Sequence, residues 1–361
     1  MHFGLSEEQS FFKDNVKKYL EDNATLDNIR HIANGDENNY SKEIHDGLLN
    51  LGINGLLVPE EFGGLGLDLL FAAVVSESLG GGASPTPFIA PYVMAPKAIL
   101  EAGSHDQKER YLSQIASNEI TFGVGFSEFV GKRNDAGLTI TDAGLNGRSM
   151  FVLDAKNATH LLLATESGQI FVVDANSSNI EIITLTTIDK TRSYTEVVCK
   201  DLKAELLEKS KNSKEHIIKA INAGRIMLSA DTLGAAQTMI DKAVDYAKER
   251  KQFGRAIGSF QAVKHMCAEM AADLEPCYAL VWHAAHCHDH SPEEAKLMAC
   301  HAKSHLSEVG KEIAKKATEV HGGMGFTDLL GLHYWFKRIG VNRQILGSPE
   351  LVREEAMRSQ L

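Results

Sequence analysis

The spacing of apolar residues changes twice along the chain, and this restricts the fold more than any other feature. Up to about residue 113, apolar residues recur at helical spacing. From Ile120 they form short β-branched or apolar runs separated by Asn, Asp, Gly and Ser, which predict an antiparallel sandwich or barrel. Beyond Asp201 helical spacing returns in long segments, apolar enough to pack together as a bundle.

These changes predict an α+β chain of three domains. We expect an N-terminal all-α domain over residues 1–113, a middle antiparallel β domain over 114–205, and a C-terminal four-helix bundle over 206–361. At 361 residues the chain is long enough for several packed layers.

Local signals mark several helix starts. Ser6 with Gln9 forms a capping box, Ser104 begins a second capped helix, and Ser291 before Pro292 predicts a third N-cap. The segment Ala83–Pro96 holds four prolines and predicts an irregular connector.

Charge and cysteine content narrow the class of protein. The net charge of −11 disfavours non-specific nucleic-acid binding, and no run of 18 apolar residues predicts a membrane span. The five cysteines form no Cys-x-x-Cys pair, and the N-terminus has no signal-peptide pattern. We therefore expect a cytoplasmic protein with reduced thiols.

The segment Asp245–Asp273 predicts two helices that meet at a basic, glycine-containing elbow. Arg250 lies near the end of the first helix, Gly254 follows, and Gln261 starts the second. A guanidinium beside bare glycine backbone suits a phosphate-bearing ligand. An ordinary helix–turn–helix corner with a solvated arginine explains the same residues, so chemistry alone leaves both interpretations open.

The amino-acid sequence of this elbow resembles the signature of acyl-CoA dehydrogenases, flavoenzymes that desaturate acyl-CoA thioesters. The matching phrases are Tyr-x-x-x-Arg-x-Gln-Phe-Gly, which includes Gln252 and Phe253, and Ile-x-x-Phe-Gln-x-Val. The resemblance implies that Arg250 and Gln261 contact the FAD of a neighbouring subunit. The phrase Glu319–Thr327 resembles the family's glycine loop, which implies flavin contacts from Glu319, Gly322 and Gly323 as well.

Two departures concern the catalytic base that the resemblance implies. The family places a glutamate either in a Glu-Gly-Thr phrase, matched here by Leu346, or just before an arginine matched by Arg225, where this chain has Gly224. Both positions lack a carboxylate, so no catalytic residue is assigned. Other acids more plausibly cap helices or face solvent: Glu128, Glu350 and Glu354.

Further departures lie in the segments that would hold the chain's own flavin. Ser127 keeps a hydroxyl where the family has Thr-Glu-Pro, but the proline and the Gly-Ser that follow are missing. Phe151 keeps an aromatic ring where the family's Trp-Ile-Thr covers one flavin face. Glu319 replaces the usual glutamine of the glycine loop.

The losses are uneven, because the residues that would serve a neighbour's flavin are the ones retained. We therefore predict an FAD-dependent acyl-CoA dehydrogenase, or the base-lacking subunit of a heteromeric one similar to those that act on steroid side chains. The resemblance implies an acyl-CoA substrate, an electron-transferring flavoprotein and a homo- or heterotetramer. A catalytically silent structural partner of an active homologue is the alternative.

Two histidine pairs have a spacing that metal sites use: His283 with His286, and His301 with His305. No Asp or Glu completes a tight ligand set nearby in the sequence, and neutral histidine pairs are frequent on helices. We therefore expect no metal.

Overall fold

Helices at both ends of the chain enclose a central sheet in the computed structural model, which describes residues 4–35, 40–212 and 214–360. The α+β architecture is confirmed. The N-terminal helices are α1 Glu7–Asn23, α2 Leu26–Asn34, α3 Lys42–Leu49, α4 Leu69–Gly81, α5 Ala95–Ala102 and α6 His105–Ala116.

Both predicted capping boxes form. The Ser6 hydroxyl accepts a hydrogen bond from the Gln9 N–H at 3.1 Å, and Ser104 and Gln107 exchange the equivalent pair of bonds. Helix α6 continues to Ala116, so a boundary at residue 113 falls within its last turn. The domain boundaries themselves stay predictions.

The connector predicted over Ala83–Pro96 is partly wrong. Ile89–Met94 forms a π-helical turn that leads directly into α5, and all six of its residues are buried. Pro91 lies in the first turn of the π-helix, where its missing N–H has no helical acceptor, and Pro96 lies in the first turn of α5. The π turn brings Met94 into the interior, beside Gly224 in the N-terminal part of the long helix that follows the sheet.

The middle of the chain forms one eight-stranded sheet. The strands are β1 Phe122–Gly125, β2 Gly137–Ile140, β3 Leu145–Leu153, β4 His160–Ala164, β5 Ile170–Asp174, β6 Ile180–Thr184, β7 Tyr194–Leu202 and β8 Glu205–Leu206. Their order is β6-β7-β3-β1-β4-β5-β8, with β2 paired to β3. The pairs are antiparallel as predicted except β1 with β4, where Phe122 lies opposite His160 in a parallel ladder.

Five helices complete the chain: α7 Glu215–Glu249, α8 Gln261–His290, α9 Pro292–His321, α10 Leu332–Gln344 and α11 Pro349–Arg358. The sequence does not predict helix α10, because its apolar and basic residues are mixed and form no clear apolar face. Ser291 occupies the N-cap position of α9 and Pro292 begins that helix, but the Ser291 side chain forms no capping hydrogen bond. The predicted position of the N-cap is therefore correct, but the capping hydrogen bond is absent.

Helix α7 is the central element, and α4 crosses it at very close range. A Cβ added at Gly80 would lie 1.9 Å from the carbonyl oxygen of Asp231, and one added at Gly234 would lie 1.8 Å from that of Glu77. Only glycine allows the two backbones to approach in this way. The N-terminal helices are therefore locked to the middle of α7.

A buried ionic network joins α7, α10 and the sheet. Arg338 on α10 donates to both carboxylate oxygens of Asp231 on α7, with a shortest contact of 2.6 Å. Arg192, in the loop before β7, lies 4.0 Å from the same carboxylate. Burial opposes ionisation of Asp231, but the two guanidinium groups hold the pKa of Asp231 below its ordinary value. The network fixes α10, and with it the segment that follows.

Candidate functional site

The elbow predicted after α7 contains a small two-stranded hairpin. Helix α7 ends at Glu249, and Lys251–Gln252 pairs with Arg255–Ala256. The turn between them places Phe253 at φ +52° and Gly254 at φ +76°. A two-residue turn with two positive φ angles is of the type I′ class, which matches the twist of a hairpin.

The elbow presents the predicted site residues to solvent. Arg250, Gln252 and Gln261 are exposed, and Phe253 is 93% exposed at the tip of the turn. Within the described parts of the chain, the Arg250 guanidinium forms no ion pair with any carboxylate. Helix α8 starts at Gln261 without a side-chain cap, so its first N–H groups point toward the same exposed corner. This is a surface of positive charge and free donors, which suits an anionic group.

The glycine loop follows the end of α9 and is equally open. Gly322 has φ +57°, and a Cβ added at Gly322 or Gly323 would meet no atom within 4 Å. Glu319 is exposed on the last turn of α9, and Phe326 is 82% exposed after the loop. Bare backbone with free space beside it can approach a large planar or diphosphate-bearing ligand closely.

One ring contact brings the elbow and the glycine loop together. Tyr246, in the last turn of α7, stacks on His321 at the end of α9, with 4.6 Å between ring centroids. His321 is buried, its Nδ1 donates to the Ala317 carbonyl at 2.7 Å, and burial lowers the pKa of His321. The two sequence motifs therefore lie at one corner of the bundle.

Ser127 and Phe151 form a separate group at the sheet. The Ser127 hydroxyl donates to the Phe151 carbonyl at 3.2 Å, and Phe151 sits in an irregular part of β3 with φ +50°. Beside them, Glu128 accepts hydrogen bonds from the Met150 N–H and from the Ser149 hydroxyl, and burial raises the pKa of Glu128. Among the described residues, no hydrogen bond, ion pair or ring contact joins this group to the elbow.

The two positions at which the resemblance to acyl-CoA dehydrogenases implies a base, Gly224 and Leu346, lie against each other in space. A Cβ added at Gly224 would lie 2.6 Å from Leu346 Cδ1 and 2.8 Å from Met94 Sδ. Leu346 is 2% exposed. The space that a carboxylate would need is therefore filled by two apolar side chains. Neither Leu346 nor Gly224 can accept a proton.

An acid close to these positions, Glu355, is already paired. Arg225 is buried, donates from Nε to the Leu346 carbonyl at 2.9 Å, and binds Glu355 Oε2 at 2.8 Å. Burial opposes ionisation of Glu355, but the bond from Arg225 holds the pKa of Glu355 below its ordinary value. The sequence gives no signal for this pair, because its members are 130 positions apart. Glu355 acts as the partner of Arg225 and is a poor base.

Two models of one protein family match this chain. Residues 6–119 match the family model described as "Acyl-CoA dehydrogenase, N-terminal domain", and residues 215–361 match "Acyl-CoA dehydrogenase, C-terminal domain". The chain belongs to the acyl-CoA dehydrogenase family, whose members are FAD-dependent dehydrogenases and related reductases.

Individual relatives agree with this assignment. The chain is 30% identical to the 3-(aryl)acrylate reductase of Clostridium sporogenes over 80% of this chain and 81% of the relative. It is 28% identical to the caffeyl-CoA reductase–Etf complex subunit CarC of Acetobacterium woodii over 89% and 90% of the two chains. The fold matches a chain of the ChsE4–ChsE5 complex from Mycobacterium tuberculosis, with a TM-score of 0.91, 22% identity and coverage of 100% and 99%.

The length and hydropathy of a helix decide whether it can span a membrane. In the described ranges, every helix is too short or too polar to cross a bilayer.

Proposed function

We propose that this chain is the base-lacking subunit of a heteromeric acyl-CoA dehydrogenase. A homologous partner chain supplies the catalytic carboxylate, and this chain completes the partner's FAD site with its elbow and glycine loop. One observation carries the proposal: Met94 and Leu346 fill the space of the base, while Arg250 stays exposed and unpaired among the described residues.

The residues at the corner fit the cofactor of the family. Arg250 and the uncapped start of α8 would neutralise the diphosphate, and Gln252 and Gln261 would donate hydrogen bonds beside it. The bare backbone of Gly322 and Gly323 leaves room for close approach.

The remaining side chains would set the shape and charge of the cleft. The ring of Phe253, which is largely exposed and meets only the edge of a neighbouring ring in the described residues, Phe260, would cover an apolar part of the cofactor. Glu319 would add a negative charge beside Gly322. This charge would repel the phosphates of the cofactor, so the part of the cofactor furthest from its phosphates would be preferred there.

The chain's own flavin site is weakened by comparison. Ser127 and Phe151 would face a flavin held by this sheet, but the Ser127 hydroxyl is used by the Phe151 carbonyl. When bound, FAD accepts the hydride that leaves the β-carbon of the thioester. Removal of the α-proton requires a carboxylate over that carbon, and this chain has none at Gly224 or Leu346.

The substrate and the electron acceptor follow from relatives as proposals. We infer an acyl-CoA thioester as substrate and an electron-transferring flavoprotein as acceptor, in support of which CarC is named as a subunit of an Etf complex. The fold neighbour named as a two-chain complex supports a heteromeric assembly. The acyl group, fatty or steroid, is left open.

The alternative function is a silent structural partner that holds an active homologue without touching its cofactor. The filled position of the base favours this role as much as it favours the first. The two roles differ at Arg250, which contacts FAD only in the first.

A charge-removal experiment separates them. The chain is co-purified with a homologue that carries glutamate at either base position, and Arg250→Ala is compared with Arg358→Ala. Arg358 is an exposed arginine paired with Glu354 of its own helix, so it controls for loss of charge. Arg250→Ala should weaken FAD binding roughly tenfold to a hundredfold, as expected for a charge-assisted bond, while Arg358→Ala should not.

Three outcomes decide the matter. Loss of FAD only with Arg250→Ala supports the shared site. Equal FAD content in both variants supports the structural role. Stoichiometric FAD and turnover of acyl-CoA by the isolated chain contradicts both.

A further inference from the structure

Three side chains with metal-binding atoms converge where α8 meets α9. His283 and Cys287 lie one turn apart on α8, and Glu294 lies in the first turn of α9. Cys287 Sγ is 3.5 Å from His283 Nε2 and 3.8 Å from Glu294 Oε2, and the ligand atoms of all three lie within 4.8 Å of one another. This cluster is remote in the sequence from the elbow and the glycine loop.

The separations match those of a tetrahedral cation site. A metal–sulfur bond of about 2.3 Å and a metal–nitrogen bond of about 2.0 Å, at a tetrahedral angle, place sulfur and nitrogen about 3.5 Å apart. The observed distance from Cys287 Sγ to His283 Nε2 is 3.5 Å. The sulfur–oxygen distance of 3.8 Å is close to the value of about 3.5 Å that the same geometry gives. Small side-chain rotations therefore suffice to close the site.

The backbone that holds the three ligands is firmly placed. Glu294 donates its N–H to the Ser291 carbonyl at 3.0 Å, which fixes the first turn of α9. Asp289 accepts bonds from the Leu69 N–H at 2.7 Å and from Lys97 at 2.5 Å, so the corner is anchored to the N-terminal helices. A site on anchored helix ends requires little ordering when a ligand binds.

The ligand set indicates the class of cation. A thiolate with an imidazole and one carboxylate suits zinc and chemically similar ions, whereas magnesium and calcium prefer oxygen ligands alone. Cys287 is 1% exposed, while His283 and Glu294 face solvent. The metal would therefore lie at the surface with its sulfur ligand on the protein side and one coordination position open to water.

We propose that His283, Cys287 and Glu294 bind one zinc-class divalent cation, which fastens the end of α8 to the start of α9. On binding, the Cys287 thiol loses its proton to solvent and the sulfur bonds to the metal, with no change in oxidation state. The sequence predicts no metal at His283/His286 or His301/His305, because no Asp or Glu completes a tight ligand set nearby and neutral histidine pairs are frequent. The turn at Ser291 brings Glu294 to the pair from seven residues beyond Cys287.

Metal titration of the chelator-treated full chain tests the proposal. Zinc binding is measured by calorimetry, and Co²⁺ is used as a spectroscopic probe whose thiolate charge-transfer band reports a bond to sulfur. We expect one ion per chain, the thiolate band, and a rise in the melting temperature when zinc is added.

Variants show which residues bind the ion. Cys287→Ser should abolish the thiolate band. His283→Ala should weaken zinc binding by at least roughly tenfold, because removing a residue that only supports a ligand already costs that much and His283 is a direct ligand. Glu294→Gln should weaken it less, because the amide oxygen can still coordinate. His286→Ala is the matched control, since His286 is exposed on the same helix and outside the cluster; it should bind as the unmodified chain does.

Some results would overturn the assignment. One is a Co²⁺ spectrum without a thiolate band. Another is equal zinc affinity of Cys287→Ser and the unmodified chain, which would mean that only surface histidines bind. A third is equal loss in His283→Ala and His286→Ala, since the cluster would then have no special role.

Discussion

The phenol ring of Tyr246 stacks on the imidazole of His321, with 4.6 Å between centroids and 29° between ring planes. Tyr246 lies four residues before Arg250 of the elbow, and His321 directly precedes Gly322 of the glycine loop. This contact joins the two segments that we propose to complete a partner's FAD site.

Replacement of Tyr246 should loosen the contact between the two segments. Tyr246→Ala removes the stack, which is worth about 0.5–1.5 kcal/mol beyond its buried area, and the complex should hold FAD less tightly. Tyr246→Phe keeps the ring and should behave as the unmodified chain. FAD affinity of the co-purified complex measures both. Equal affinity in all three proteins would mean that the stack does not position the loop.

The turn at Phe253 should show a conflict between stability and function. Its φ of +52° disfavours a non-glycine residue, and the exposed ring gains little burial in return. Asparagine tolerates this conformation better, so Phe253→Asn should raise the free energy of unfolding of the isolated chain by about 0.5–1 kcal/mol. The same change should weaken FAD binding by the complex.

Phe326→Asn provides the control for this turn. Phe326 is also exposed, but its φ is not positive, so the substitution should not stabilise the isolated chain. Urea unfolding gives the comparison. If both variants change stability equally, backbone strain at Phe253 is not the cause.

The filled position of the base should appear as a coupling energy. Gly224→Ala forces its new methyl group against Leu346 and Met94, while Leu346→Ala vacates part of that space. The double variant should therefore be more stable than the sum of the single changes predicts, by about 1 kcal/mol or more. Gly224→Ala combined with Leu274→Ala, a buried leucine of α8, should be additive within about 0.5 kcal/mol. Additivity in both cycles would mean that Leu346 does not fill the position.

Two buried groups beside one small cavity of about 60 Å³ should oppose each other as the pH falls. Burial lowers the pKa of His45, which is held between the hydroxyls of Tyr40 and Tyr92, to about 4. Burial raises the pKa of Asp154 to about 6. Between pH 6.5 and 4, the unfolded chain gains a proton at His45 that the folded chain does not, so stability is lost on acidification. Asp154 has the opposite sign, because its folded form is protonated first.

Variants separate these two contributions. Asp154→Asn should make the loss of stability between about pH 7 and pH 4.5 steeper than in the unmodified chain, by about 2 kcal/mol. His45→Gln should make it shallower or reverse it. His31→Gln, at an exposed site on α2, is the control and should leave the pH profile unchanged. Urea unfolding at the two pH values measures the difference, and identical slopes in all variants would contradict the opposing signs.

The sequence predicts the architecture well because periodicity and caps act locally. The capping boxes at Ser6 and Ser104, the strand-rich middle and the long C-terminal helices all follow from nearby residues. The parallel pairing of β1 with β4 and the buried Asp231–Arg338 pair depend on contacts between distant segments, which no local pattern encodes.

The candidate site was predictable to a similar extent. The phrases around Arg250 and Gly322 point to one function, but their meeting through Tyr246 and His321 requires the packing of α7 on α9. The sequence shows that Gly224 and Leu346 lack a carboxylate. Only the structure shows that Gly224 and Leu346 touch. It also shows that Met94, from a π-helical turn that the proline-rich sequence does not predict, closes the space beside them.

The most direct test of the central claim is flavin bleaching by this chain without its partner. The isolated chain is supplied with excess FAD under anaerobic conditions, and flavin absorbance is followed after addition of short, long and steroid acyl-CoA thioesters. Because no carboxylate occupies either base position, we predict that the absorbance stays constant with every thioester. Bleaching in proportion to added acyl-CoA would show that the chain holds a working base of its own and would contradict the account.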